Sequence, residues 1–238
     1  IGNKYCILVK KVNDISSFGE VIVKNSFLNG DALLEVYTCY PVPPIEFLIK
    51  TGFVSNIKEI PELFKKIMRE VDQRRDSFSD DMAFPIKPEK LVIDVRNALG
   101  EHDIVLSDVG AHKLWISKIY KTYQPNTCII PNGFCSMGFA FPGAIAAKIV
   151  YPEKNVVAMC GDAGFLMNFQ EIETAVRLKI GFITVVWCDL DLGMISMKQK
   201  NEFGKSVFTK FTNPDFIKLA ESFGAVGFVV KSTEEFSK

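Results

Sequence analysis

The chain has 238 residues, 48% of them hydrophobic, and its 28 basic side chains balance 28 acidic ones. That length allows one large or two small packed domains, and a net charge of zero without a basic stripe argues against nucleic acid as a partner. No apolar run approaches the ~20 residues of a membrane span, so no membrane association is expected. The start, Ile1-Gly2-Asn3-Lys4, has neither an initiator Met nor a leader pattern, which reads as a fragment or excised domain with a cytoplasmic address. The six cysteines (Cys6, Cys39, Cys128, Cys135, Cys160 and Cys188) show no CxxC spacing. Several stand in apolar runs, the pattern of free thiols in a reducing compartment rather than of disulfides or a zinc site.

Residues 1–56 read as short strand-like runs, among them Tyr5–Val9 and Ala32–Tyr37, broken by Gly, Asn and Pro. Over residues 59–73 the apolar positions Ile60, Leu63, Phe64, Ile67, Met68 and Val71 recur at helical spacing, with Pro61 in the first turn where a missing N–H costs nothing. The polar stretch from Arg74 to Asp81 ends that pattern. Residues 1–75 therefore stay unassigned, and residues 76–84 form a linker.

From Pro85 onward helices and strands alternate. The spacing predicts helices over Pro88–Leu99, His112–Tyr120, Gly143–Val150, Asn168–Leu178, Gly193–Asn201 and Pro214–Phe223. Strands are expected at Ile104–Ser107, Cys128–Ile130, Val156–Cys160, Phe182–Trp187 and Val226–Val230. Ser232-Thr233-Glu234-Glu235 carries a capping-box signature for one more helix, expected to be truncated. Such alternation means an α/β fold, a doubly wound parallel sheet with helices on both faces, preceded by a smaller mixed segment.

Two acidic turns dominate this domain: Gly161-Asp162-Ala163-Gly164-Phe165 and Cys188-Asp189-Leu190-Asp191-Leu192-Gly193. Each follows an apolar strand, and a single helical segment separates them. One βαβ crossover places Asp162 and Asp189 side by side at the carboxyl edge of the sheet, where open α/β sheets hold ligands. Two carboxylates with nearby backbone carbonyls suit a hard cation such as Mg²⁺. Ordinary Asp/Gly turns would have the same spacing.

The stretch Gly161–Ala175 resembles the fingerprint of the thiamine-diphosphate enzymes, whose first turn carries Gly-Asp-Gly or Gly-Asp-Ala and whose second carries Asn-Asn or Asn-Asp. Further blocks are similar to the same family: Ser107–Trp115, Gly133–Pro142, and Asn213-Pro214-Asp215-Phe216 through Ala225. The resemblance covers residues 76–238 and is strongest to acetolactate synthases, nearer their FAD-independent catabolic branch.

The resemblance implies that residues 85–238 bind thiamine diphosphate and Mg²⁺, with the Asp162 and Asp189 side chains and the Asp191 carbonyl as metal ligands. Gly161, Ala163 and Gly164 then open a helix whose N–H groups can face a phosphate. Val109, Gly110, Ala111 and His112 line the far phosphate. Leu192, Gly193 and Met194 close the second turn against the cofactor. Met137 stands under the thiazolium, and the Cys135 carbonyl accepts from the aminopyrimidine. Cys188 departs from the usual Asn and cannot be both amide donor and acceptor, so an Asn at 188 is expected to brace the turn and tighten cofactor binding.

The implied reaction joins two pyruvates to 2-acetolactate with loss of CO₂, a thiamine-diphosphate-dependent lyase/transferase activity, in a homodimer or homotetramer. Its catalytic Glu comes from an N-terminal domain of a partner subunit. No segment here resembles that domain, so the chain alone is expected to be incomplete as a catalyst, as a fragment or a decayed copy. Another decarboxylase or oxidase of the same cofactor family, acting on a related 2-oxo acid, stays open. So does a non-catalytic scaffold domain of the same fold.

Overall fold

Apolar residues alternate across both faces of the central strands, so the sheet has to be covered on both sides. The computed structural model describes residues 4–9 and 62–237; the expected strand at Ala32–Tyr37 lies outside them. Helix α1 spans Glu62–Asp76. It is followed by α2 (Pro88–Ala98), β2 (Ile104–Ser107), α3 (His112–Ile119), β3 (Cys128–Ile129), α4 (Ala140–Val150) and β4 (Val156–Gly161). Then come α5 (Asp162–Asn168), a 3₁₀ turn (Phe169–Glu171), α6 (Ile172–Arg177), β5 (Ile183–Cys188), α7 (Gly193–Phe203), α8 (Phe216–Ser222), β6 (Val226–Val230) and α9 (Thr233–Ser237). A strand β1 (Lys4–Val9) precedes them all.

The six strands lie in the order β3-β2-β4-β5-β1-β6. Strands β3, β2, β4 and β5 pair in parallel. β1 runs antiparallel between β5 and β6, with Tyr5 opposite both Trp187 and Val230. The expected parallel sheet thus carries one antiparallel strand, taken from the segment that the sequence pattern left unassigned.

The period of two along each strand sorts the core. Val105, Val157, Met159 and Val185 join one cluster with Leu91, Val92 and Val95 of α2 and Ile116 and Ile119 of α3. Leu106, Ala158, Cys160 and Val186 join the other with Phe141 and Ala144 of α4, Phe165 of α5, Ile172 of α6 and Phe216 of α8. Two separate clusters, one per face, are what a doubly wound sheet requires.

Local chemistry sets the element ends. Pro88 opens α2, and the Arg96 guanidinium reaches the carbonyl oxygens of Leu99 at 2.5 Å and Gly100 at 2.6 Å just beyond its last turn. α4 begins at Ala140, three residues before the expected Gly143, because Pro142 falls in a first turn that tolerates it. The helix expected from Asn168 instead starts at Asp162 and breaks at Asn168, whose φ of −138° leaves the helical region. Gly204 ends α7 with φ +73°, and Asp215 caps α8 by accepting from the N–H groups of Ile217 and Lys218. At α9 the Ser232 hydroxyl accepts from Glu235 N–H at 3.1 Å. Among the described residues Cys128, Cys135 and Cys160 are free thiols, and burial pushes the thiols of Cys128 and Cys160 up. No helix among the described residues is long and apolar enough to cross a membrane.

Candidate functional site

The parallel half of the sheet ends in three loops that converge. β2 runs into Asp108–Ala111 and α3, β4 into Asp162 and α5, and β5 into Asp189–Leu192 and α7. Between them lies a cleft of about 180 Å³. Its wall contains Val109, Gly110, Ala111 and His112 from the first loop, Gly161, Asp162, Ala163 and Gly164 from the second, and Asp189, Asp191, Leu192, Gly193 and Met194 from the third. Met137 joins from the loop before α4, and Pro88, Trp115, Trp187, Cys188 and Ile195 complete the wall. Cys135 does not line it. That residue has φ +52°, and its thiol lies 3.5 Å from Lys113 Nζ and 3.4 Å from the Asn132 carbonyl.

Asp162 is buried, and its carboxylate is held from three directions. Oδ1 accepts from Ala163 N–H at 2.9 Å, while Oδ2 accepts from Leu190 N–H at 3.0 Å and from the Asn213 amide at 2.7 Å. The Ala163 N–H is therefore turned onto its neighbour's carboxylate rather than standing open to a phosphate, as the motif alone implies. Asn213 belongs to the Asn-Pro-Asp-Phe block, and sequence reasoning gave it no role in the site.

Asp189 stands at the end of the adjacent strand. Burial and the charges of Asp162 and Asp191 push its carboxyl up, against the Asp191 N–H, which it accepts at 3.2 Å, and the more distant Lys210. Asp191 behaves oppositely. Burial would raise its carboxyl, but the Lys210 ammonium at 2.9 Å, with weaker contacts to Thr209 and Ser196, holds it below the usual range. Its other oxygen, Oδ1, is buried without a hydrogen-bond partner.

The second turn has its own scaffold. Leu190 takes φ +58°, a region costly for a branched side chain. The conformation is fixed by its N–H on Asp162, by Leu192 N–H on the Thr209 carbonyl at 2.9 Å, and by Phe211 N–H on the Leu190 carbonyl at 3.3 Å. Segment 209–211 thus lies along the turn as a short antiparallel bridge, Asp191 opposite Lys210.

His112 forms one end of the cleft. Burial lowers its pKa to about 4, outweighing a hydrogen bond to the Asp108 carbonyl, with Lys113 adding to the fall. The ring is neutral at neutral pH, and its Nε2 is buried without a partner. The glycines leave room beside these groups. A Cβ on Gly110 would lie 2.8 Å from His112 Cε1, and one on Gly193 would lie 2.9 Å from Asp189 Oδ2. Each would collide with a group that faces the cleft.

Beneath the cleft, Asp108 is fully buried and its carboxylate accepts from the N–H groups of Val109 at 2.6 Å, Gly138 at 2.9 Å and Ala140 at 3.1 Å. Burial nevertheless pushes its carboxyl up. It lies in the family-like block Ser107–Trp115, but sequence reasoning gave it no role, since a carboxylate that accepts from backbone N–H groups has no pairing partner to search for.

Residues 108–238 match the family described as thiamine pyrophosphate enzyme, C-terminal TPP binding domain. The chain belongs to the thiamine-diphosphate enzymes. It is 36% identical to acetolactate synthase of Bacillus subtilis (strain 168) over 189 residues, 79% of this chain and 33% of that protein. It is 36% identical to a probable acetolactate synthase large subunit of Methanocaldococcus jannaschii, over 65% of this chain and 27% of the relative. It is 33% identical to the catabolic acetolactate synthase of Raoultella terrigena, over 70% of this chain and 29% of that protein. The chain thus spans about a third of the length of these thiamine-diphosphate enzymes.

The residues present fit such a cofactor. A buried, partnerless His112 Nε2 and two glycine-lined approaches await a polar ligand. Two neighbouring carboxylates without a full counter-charge form an all-oxygen donor set for a hard cation. Among the described residues no three His, Cys, Asp or Glu side chains gather in a metal-binding group.

Proposed function

We propose that the cleft binds thiamine diphosphate through Mg²⁺, with Asp162 and Asp189 as side-chain ligands and the Asp191 carbonyl as a third, in an acetolactate synthase-like enzyme that joins two pyruvates to 2-acetolactate and CO₂. The observation that carries this reading is the pair Asp162 and Asp189 on neighbouring strand ends, where burial and mutual repulsion raise the Asp189 carboxyl. A divalent cation would relieve that repulsion and would leave coordination positions for diphosphate oxygens.

The bound cofactor supplies the carbon nucleophile for decarboxylation of a 2-oxo acid. This chain binds and orients it. His112 lines the diphosphate end, and the loop opening α3 adds the positive end of its helix dipole. Met137 and Trp187 supply apolar wall, which strengthens polar contacts by keeping water out. No glutamate is among the described residues lining the cleft, so the carboxylate that handles the cofactor's proton comes from outside this domain, in a homodimer or homotetramer.

Calorimetric titration of the 238-residue chain with thiamine diphosphate, with and without Mg²⁺, tests the reading. Metal-dependent binding is expected, lost in Asp162→Ala while circular dichroism shows the fold intact. Equal affinity in that variant would remove the metal assignment, and no binding by the parent would leave a scaffold domain of the same fold.

A further inference from the structure

Resting on the reading that the cleft takes thiamine diphosphate, we infer that Asp108 is a positioning residue, which sets where Met137 stands in the cleft by clamping the loop before α4 from below. Among the described residues the Asp108 side chain has no cation partner. Its oxygens accept from Gly138 N–H at 2.9 Å and Ala140 N–H at 3.1 Å, the residues directly after Met137 and at the start of α4. The same loop is tied from the other side, where the Asn168 amide donates to the Gly138 carbonyl at 2.8 Å.

Gly138 is thus held at both its N–H and its C=O. Its φ is +81°, and a Cβ there would lie 2.6 Å from Asn168 Nδ2 and 3.1 Å from Met167 Cβ. A residue pinned this way leaves its predecessor Met137 little choice of position. The clamp also accounts for a sequence feature of the metal turn: a Cβ on Gly164 would lie 3.0 Å from Asp108 Oδ1. The small residue at 164 is needed because Asp108 fills the space below it. One buried carboxylate therefore sets the distance between α5, which opens on Asp162, and the loop carrying Met137. Asn168 does the same from the far end of α5, at the point where the helix breaks.

Asp108→Asn keeps the volume but replaces an acceptor with a donor facing a backbone N–H, so the loop should shift. Met137 would then contact the organic part of the cofactor less well; Asp108 also holds Val109 N–H beside the diphosphate end, a bond that Asn168→Ala leaves untouched. The test compares Mg²⁺-thiamine diphosphate with Mg²⁺-pyrophosphate by calorimetry, in the parent, Asp108→Asn, Asn168→Ala, Met137→Ala and the double variant Asn168→Ala with Met137→Ala.

The expected result is at least tenfold weaker thiamine diphosphate binding in Asp108→Asn and Asn168→Ala, with pyrophosphate affinity within threefold of the parent in Asn168→Ala and reduced less than thiamine diphosphate affinity in Asp108→Asn. Asn168→Ala should have little further effect once Met137 is Ala. Asn168→Ala, which removes only one amide, gives the answer if Asp108→Asn fails to fold. A parent that binds both ligands, with variants that lose both equally or neither, overturns the inference and leaves the function standing. A parent that binds neither ligand overturns the function and the inference together.

Discussion

The Asn213 amide donates a 2.7 Å hydrogen bond to Oδ2 of Asp162, joining the loop before α8 to the first residue of α5 across 51 positions. The same oxygen accepts Leu190 N–H. Both donors fix the direction in which the Asp162 carboxylate can offer its remaining lone pairs.

Removing Asn213 should therefore weaken the metal site without emptying it. A hydrogen bond to a charged group contributes about 1.5–3 kcal/mol, so Asn213→Ala is expected to weaken Mg²⁺-dependent thiamine diphosphate binding by roughly tenfold to a hundredfold. Titrating both proteins with the cofactor at saturating Mg²⁺ measures this. Parent-like affinity would mean that Leu190 N–H alone orients Asp162.

The alternation of apolar residues in β2, β4 and β5 made both faces of the sheet legible in the sequence. The residues of the cleft were legible only through the family resemblance of the blocks that carry them, since Asp/Gly turns at strand ends are common. What stayed hidden shares one physical cause: bonds between a side chain and distant backbone leave no period or spacing. Asp108 on Gly138 and Ala140 and Asn168 on Gly138 are of this kind, and the backbone pairing of segment 209–211 with the second turn is just as non-local. The helix expected from Asn168 breaks at that residue, where its amide holds the Gly138 carbonyl.

Cys188 illustrates the consequence. Read as a motif, its thiol deprives the second turn of an amide, and Asn at 188 should tighten binding. The turn is instead held by Leu190 N–H on Asp162, Leu192 N–H on Thr209 and Phe211 N–H on Leu190, while Cys188 Sγ sits 3.8 Å from the Val186 carbonyl. Cys188→Asn is now expected to change the dissociation constant of Mg²⁺-thiamine diphosphate by less than about twofold, since no bracing bond is missing. A threefold or larger gain, measured side by side with the parent, would show that the amide adds a brace that the 209–211 segment does not provide.

Helix α7 begins at the cleft and leaves Ile195, Met197 and Phe203 exposed, with Val207 and Phe208 exposed just beyond it. Apolar side chains gathered on one stretch of chain beside a ligand cleft suit an interface between copies. Sedimentation at micromolar concentration is expected to show a dimer or tetramer, shifted toward monomer by Met197→Glu combined with Phe203→Glu. A parent that sediments as a monomer counts against self-association.

His112 links pH to stability in a direction that can be worked out. Its pKa falls from 6.5 in the unfolded chain to about 4 in the folded one because burial penalises the imidazolium. Between these values the unfolded chain binds a proton that the folded chain does not, so stability is fully present above about pH 6.5 and declines as pH falls toward 4. A depression of this size corresponds to about 2–3 kcal/mol lost between pH 7 and 4.5. The raised carboxyls of Asp108 and Asp189 act in the opposite sense, because the folded chain keeps their protons to higher pH. The difference between parent and His112→Gln, which share those carboxyls, isolates the histidine. Urea unfolding at several pH values should give a parent curve that falls more steeply on acidification than that of His112→Gln. Parallel curves would show that the ring is solvated in the folded protein and that its Nε2 is not the dry, partnerless nitrogen assigned to the cleft.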